Sequence, residues 1–142
     1  MQETNEFAIF SLNDQEYGIN IKDIRSIIKI EKITRVPSSP DFIDGVINLR
    51  GEIIPVANAR KLLSFPPKKD DDASRIIIVE VGDYLIGMKV DKVYDIQTVN
   101  TNDIDTSKQL IKNFNNDFIE GVIKRDSRLI AILGIEQIFI SA

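Results

Sequence analysis

Apolar residues along the chain alternate with polar ones or fall in short runs rich in isoleucine and valine, a pattern that suits strands with one or both faces covered. It predicts strands over residues 7–12, 15–21, 47–49 and 53–56, then over 76–81, 84–90, 122–124 and 129–133. Asn13-Asp14 and Gly82-Asp83 interrupt the pattern where hairpin turns belong. Near the end, Ile135, Ile138 and Phe139 change to helical spacing, which predicts a short amphipathic helix. Residues 64–74, with Pro66-Pro67, Lys68-Lys69 and Asp70-Asp71-Asp72, follow neither period and read as a linker.

The two halves repeat. Asp41-Phe42-Ile43-Asp44-Gly45-Val46-Ile47 returns as Asp117-Phe118-Ile119-Glu120-Gly121-Val122-Ile123, with one Asp-to-Glu change. Farther on, residues 52–56 fall opposite 128–132, and Leu62-Leu63 opposite Ile138-Phe139. Upstream, residues 17–27 align without gaps on residues 86–96. Two matches in the same order imply two related structural units, roughly 13–65 and 75–142, with the N-terminal strand shared between them. Strand-rich units this small remove their exposed edges by closing into little barrels. Ser39 with Pro40, and likewise Asn115, are placed to cap one helical turn in each unit. Gly45 or Gly121 would end that turn in the left-handed region, with Phe42 and Phe118 facing inward.

Composition removes several chemistries. The 142 residues include no Cys and no His, which excludes disulfides, thiolate nucleophiles, His-based triads and Cys/His zinc sites. The three adjacent aspartates 70–72 cannot converge like spaced calcium ligands and read as solvated linker, so neither metal nor cofactor is expected. A carboxylate-pair enzyme, for instance through Asp91 and Asp95, lacks any supporting pocket motif. A net charge of -4 opposes phosphate backbones and anionic lipid, and no apolar run approaches the length of a membrane helix. Glu3 and Glu6 break any signal-peptide pattern, so a cytoplasmic protein without direct membrane insertion is expected.

Taken in order and spacing, a set of short motifs resembles the CheW coupling family along nearly the whole chain. They are Phe10-Ser11-Leu12, Tyr17-Gly18-Ile19-Asn20-Ile21, Val36-Pro37 through Pro40, Gly45 through Gly51, Ile54-Pro55-Val56, Gly87, Val90-Asp91-Lys92-Val93 and the closing segment 129–138. The resemblance implies a mainly β fold of two linked five-stranded SH3-like barrels. It also implies a non-enzymatic adaptor, monomeric in isolation, that joins chemoreceptor tips to the histidine kinase CheA. A tandem-barrel nucleic-acid or translation factor is the alternative, disfavoured by net acidity and by the lack of an aromatic-basic stripe. Family members commonly carry Glu where this chain has Ser26, and Asp-Leu where it has Asn58-Ala59, which implies an altered receptor preference.

The repeat makes Ile24 and Ile27 equivalent to Val93 and Ile96, and these are expected to line the groove where the barrels meet. The resemblance places receptor binding there, on Ile24, Arg50, Arg75 and Ile96. For each isoleucine a core position is the competing reading. Arg50, between Leu49 and Gly51 in a turn, offers a fork-shaped donor either to a partner or to backbone carbonyls. The family's kinase surface carries over to Asp44 and Gly45, and a further kinase contact to Leu110. Gly45 also answers to a purely steric demand, since Gly121 repeats it.

Overall fold

Local turn chemistry sets the hairpins. Asn13 and Asp14 have φ of 55° and 65°, and Arg50 and Gly51 have 53° and 86°, the paired positive values of a two-residue turn that matches strand twist. Gly51 N–H donates to Asn48 Oδ1 at 3.0 Å and fixes the second of these turns. The computed structural model describes residues 3–112, 114 and 117–141. Its strands are β1 (Thr4–Leu12), β2 (Gln15–Asn20), β3 (Ile24–Lys29), β4 (Ile43–Leu49), β5 (Glu52–Asn58), β6 (Arg75–Val81), β7 (Tyr84–Val90), β8 (Lys92–Asn100), β9 (Ile104–Asp105), β10 (Ile119–Arg125) and β11 (Arg128–Leu133). Among the described residues the α-helices are α1 (Ala59–Leu62), α2 (Lys108–Lys112) and α3 (Ile135–Ser141), the last where the helical spacing predicted one.

The strands form two sheets, in the orders β3-β6-β7-β5-β4 and β8-β1-β2-β11-β10-β9, and these are two linked SH3-like barrels. Replacing each strand of the first order by its repeat partner gives the second, apart from the two-residue β9. The strands nevertheless divide differently from the expected 13–65 and 75–142. Hairpin β6–β7 completes the first barrel, and hairpin β1–β2 completes the second. The exchange works because β5 meets β7, and β11 meets β2, in parallel contacts that need a long connection rather than a tight turn.

Burial follows the exchange. Each barrel has its own small interior, built on Ile47, Ile54, Val56, Ile76 and Ile78 in the first and on Phe7, Ile9, Val99, Ile123, Ile130 and Ile132 in the second. A larger core lies between the barrels and draws Phe10, Leu12, Tyr17 and Ile19 from one, Ile77, Val79, Met88 and Val90 from the other, and Ile135 and Ile138 from α3. Alternation along β6 divides its side chains between two of these cores: Ile76 and Ile78 point into the barrel, Ile77 and Val79 toward the neighbour.

The expected role of the glycine after each turn is corrected. The segment before β4 makes one turn, closed by Ile43 N–H to Pro40 O at 3.0 Å, but Gly45 lies inside β4, at a bulge between Ile43 and Gly45, with φ of 149° rather than a left-handed helical value. Its repeat partner Gly121 sits at the matching bulge in β10 without a positive φ. What the two glycines share is crowding: a Cβ would lie 2.2 Å from Thr34 O at Gly45 and 2.7 Å from Ile104 Cγ2 at Gly121. Phe42 is half-buried and Phe118 packs on the central core, while their carbonyls accept from Asn58 N–H at 2.7 Å and Gly134 N–H at 2.8 Å. Asn115 lies outside the described residues.

Candidate functional site

Bulges decide where the candidate isoleucines point. In β3 an extra residue between Ile24 and Ser26 puts Ile24 opposite Val79, Ser26 opposite Ile78 and Ile27 opposite Ile77. Ile24 and Ile27 therefore share the face toward the other barrel, while Ser26 turns with Ile78 toward the interior of its own. The same irregularity sets Val93 opposite Phe10 and Ile96 opposite Ala8. Ile24 and Val93 both pack on the central core, and their neighbours Ile27 and Ile96 stay open to solvent, at 38% and 57%. The core and groove readings thus split by position: Ile24 belongs mainly to the core, Ile96 to the surface.

Arg50 stands exposed at the tip of the β4–β5 hairpin, where the positive φ of the turn fixes its direction. It lines a cavity of about 280 Å³ together with Ser26, Arg25, Glu52, Ile28 and Leu85. Arg25 is held by Glu80, which accepts from its Nε at 2.7 Å. Arg75 does not join this group. It begins β6 opposite Lys29, and its Nη1 donates to the carbonyls of Asp72 and Ser74, both at 2.8 Å, so it anchors the linker turn.

The kinase candidates lie apart from these. Asp44, the extra residue of the β4 bulge, accepts from Lys89 Nζ at 2.8 Å and Asn58 Nδ2 at 3.2 Å, with Lys61 Nζ 3.8 Å away. Burial works against the Lys89 charge, but the hydrogen bonds and charges of Asp44 and Asp70 together outweigh it and hold the ammonium above the ordinary lysine range. Asn58 has a structural account here: its Oδ1 accepts from Lys61 N–H at the start of α1 while its amide donates to Asp44, a donation that an ionised Asp could not make. Leu110, on α2, is half-buried against the central core. Asp91 is bound by Arg60. Among the described residues no cluster of three or more acids is arranged to hold a metal ion, and no helix is long and apolar enough to cross a membrane.

The repeat copy of the Asp44 site is electrostatically different. Glu120 occupies the matching bulge in β10 and faces Asp23 and Glu136 without the lysines that surround Asp44. Burial first, then the charges of Asp23 and Glu136, push Glu120 above the ordinary carboxylate value against the pull of Lys22. Asp23 is raised the same way, by burial and then Glu136, again against Lys22. A carboxyl whose folded pKa is raised gives stability that is complete below the unfolded value of about 4.3 and is lost as pH rises through the folded one. Glu120→Gln should therefore melt with the parent at pH 4 and above it at pH 7. Melting curves that stay superimposed across that range would contradict this account.

Comparison with known proteins adds what geometry cannot. The CheW-like domain profile matches residues 6–142. The chain belongs to the CheW-like family. It is 37% identical over 128 residues to the chemotaxis protein CheW of Bacillus subtilis, covering 90% of this chain and 82% of that one. With the chemotaxis protein CheW of Thermotoga maritima the identity is 35% over 138 residues, covering 94% and 86%. The crystal structure of the scaffolding protein TtCheW from Thermoanaerobacter tengcongensis superposes with a TM-score of 0.86 at 33% identity, over 98% of this chain and 93% of that one. As a CheW-like protein the chain is a chemotaxis adaptor of the scaffolding type.

Sequence reasoning missed Lys89 and Lys61 around Asp44, and the ion pair of Arg25 with Glu80. Nothing in the spacing signals them, because each partner comes from a different strand or helix.

Proposed function

We propose that this protein couples chemoreceptors to a CheA-type histidine kinase in the cytoplasm, as a non-enzymatic adaptor that is monomeric in isolation. The receptor surface in this reading runs along Ile24, Ile96 and Arg50, with Arg75 retained on the family resemblance alone. The kinase surface includes Asp44 and Gly45 on the first barrel and Leu110 on the second. The observations that carry the reading are two open isoleucines beside the central core, Ile27 and Ile96, and an Arg50 guanidinium that makes no hydrogen bond or ion pair among the described residues. Desolvating such residues supplies affinity, and the charge supplies register. Contacts that bury only a standard patch on each side give moderate affinity alone, which assembly into arrays raises through avidity.

Reconstitution tests the proposal directly. With a soluble chemoreceptor fragment and a CheA kinase, autophosphorylation should rise only when this protein is added; a kinase equally active without it would defeat the proposal. Arg50→Glu should weaken receptor-dependent activation about tenfold. Its melting temperature should stay near that of the parent, because the side chain is exposed and makes no hydrogen bond or ion pair among the described residues.

A further inference from the structure

The cavity beside Arg50 differs from its repeat copy in one chemical respect. At the equivalent end of the second barrel stands Arg128, the repeat partner of Glu52, and two of its nitrogens reach Glu16, with Nε at 3.1 Å and Nη2 at 2.6 Å from Oε2. Asp95 and Asp126 add their negative charge to the same arginine, after Glu16. That rim satisfies its cation from within the chain. In the first barrel the positions of Asp95, Glu16 and Asp126 are taken by Ser26, Leu85 and Arg50. The acids are gone and a guanidinium has been added.

What remains is an arginine with no hydrogen bond or ion pair among the described residues, above a floor of Ile28, Ile54 and Leu85. Glu52 lines the same cavity but makes no ion pair with Arg50, and Glu80 is committed to Arg25. The space, about 280 Å³, falls below what encloses a drug-sized ligand and suits one or two side chains. Ser26 leaves it open because a hydroxymethyl fills little of it, and that hydroxyl is a second donor beside the guanidinium.

We propose that this cavity receives a carboxylate side chain of the receptor tip, glutamate or aspartate, whose head is bound by Arg50 and the Ser26 hydroxyl and whose stem lies on the isoleucine floor. The inference rests on the receptor reading given above and names the group that Arg50 meets. A planar, bidentate match between guanidinium and carboxylate supplies orientation as well as attraction, and the apolar floor excludes water from the pair.

A double-mutant cycle tests it. The probe is a soluble two-helix chemoreceptor tip fragment, with each of its tip acids changed singly to the amide, titrated against the full-length protein and its variants. One Glu→Gln or Asp→Asn change in the fragment should weaken binding to the parent about tenfold and to Arg50→Ala less than about twofold. Ser26→Glu supplies the carboxylate in cis, so it should weaken binding of the unmodified fragment about tenfold and remove its sensitivity to that same acid. Ser26→Asp repeats the test with a smaller side chain should the glutamate disturb β3. Affinity for the kinase regulatory domain should be unchanged in all of these variants. If the parent binds the fragment but no acid couples to Arg50, or if both Ser26 variants bind as the parent does, the proposal falls and the adaptor reading stands. Should the parent bind no receptor fragment at all, both fall together.

Discussion

Arg60→Ala is expected to lower stability by about 3–5 kcal/mol in urea unfolding. The guanidinium grips Asp91 with both forks, Nε to Oδ1 at 2.8 Å and Nη2 to Oδ2 at 2.7 Å, and the two side chains are only 11% and 15% exposed. Its third nitrogen donates to Pro66 O at 2.6 Å, and Asp91 also accepts from Asn13 N–H at 2.9 Å. One ion pair thus ties α1 of the first barrel to the β1–β2 turn of the second, to the bend between the barrels and to the linker. Removing the arginine leaves a carboxylate sheltered from water with only the weaker pull of the Lys68 charge, which costs more than the pair itself contributes. Arg60→Lys should restore little, because a point charge cannot span both oxygens and the Pro66 carbonyl.

The pH dependence of the same pair has a definite sign. Burial alone would raise Asp91, but the Arg60 hydrogen bonds, the Asn13 N–H and the Arg60 charge together hold it below the ordinary aspartate value. Its stabilisation is therefore present above the unfolded pKa of about 3.9 and is lost as pH falls through the folded value. The parent should lose stability more steeply than Arg60→Ala below about pH 4. Equal acid limbs for the two proteins would show that the pair contributes nothing to the folded state.

Gly45→Ala should cost about 3 kcal/mol or more, and Gly121→Ala about 1 kcal/mol, although the two glycines occupy the same place in the repeat. At Gly45 the new methyl would meet the Thr34 carbonyl, oxygen at 2.2 Å and carbon at 2.7 Å, on a backbone with φ of 149° that side chains rarely adopt. Relief requires parting the paired hydrogen bonds between Thr34 and Val46, at 2.9 and 2.8 Å. At Gly121 the nearest atom is a side-chain methyl of Ile104, on a two-residue edge strand, and the closest backbone atom is 3.3 Å away. Loss of kinase binding by Gly45→Ala at full stability would instead assign Gly45 to the interface; equal destabilisation by both variants would refute the steric distinction.

The duplicated motif around Phe42 and Phe118 made two barrels legible, and the alternation of 76–81 and 84–90 made a hairpin legible, because both are local patterns. Strands β3 and β8 do not stand out in the sequence pattern. Each carries a bulge, so Ile24 and Ile27, like Val93 and Ile96, recur at a spacing of three on one face, which a search for period two does not see. The hairpin exchange was hidden for another reason: repeat alignment says which segments are alike, not which like segment pairs with which. At the site, the separateness of Arg75 from Arg50 depends on strand register, and the pairing of Asp44 with Lys89 joins residues far apart in the chain. Ser26, as a departure from the family pattern, and Arg50, as a turn residue, were each visible in one dimension. Their meaning appeared only when both were found on one cavity.

The borrowed hairpins also govern the order in which a nascent chain can finish. Strands β1 and β2 leave the ribosome first, yet β1 waits for β8 and β2 for β11, whose last residue is Leu133. The other barrel has all its strands once Val90 has been made. Throughout that interval Phe10 and Leu12 can already meet Ile77 and Met88 of the finished barrel, but Phe7 and Ile9 wait for Ile123, Ile130 and Ile132, so the interior of the second barrel is the apolar surface left open to aggregation until Leu133 is made.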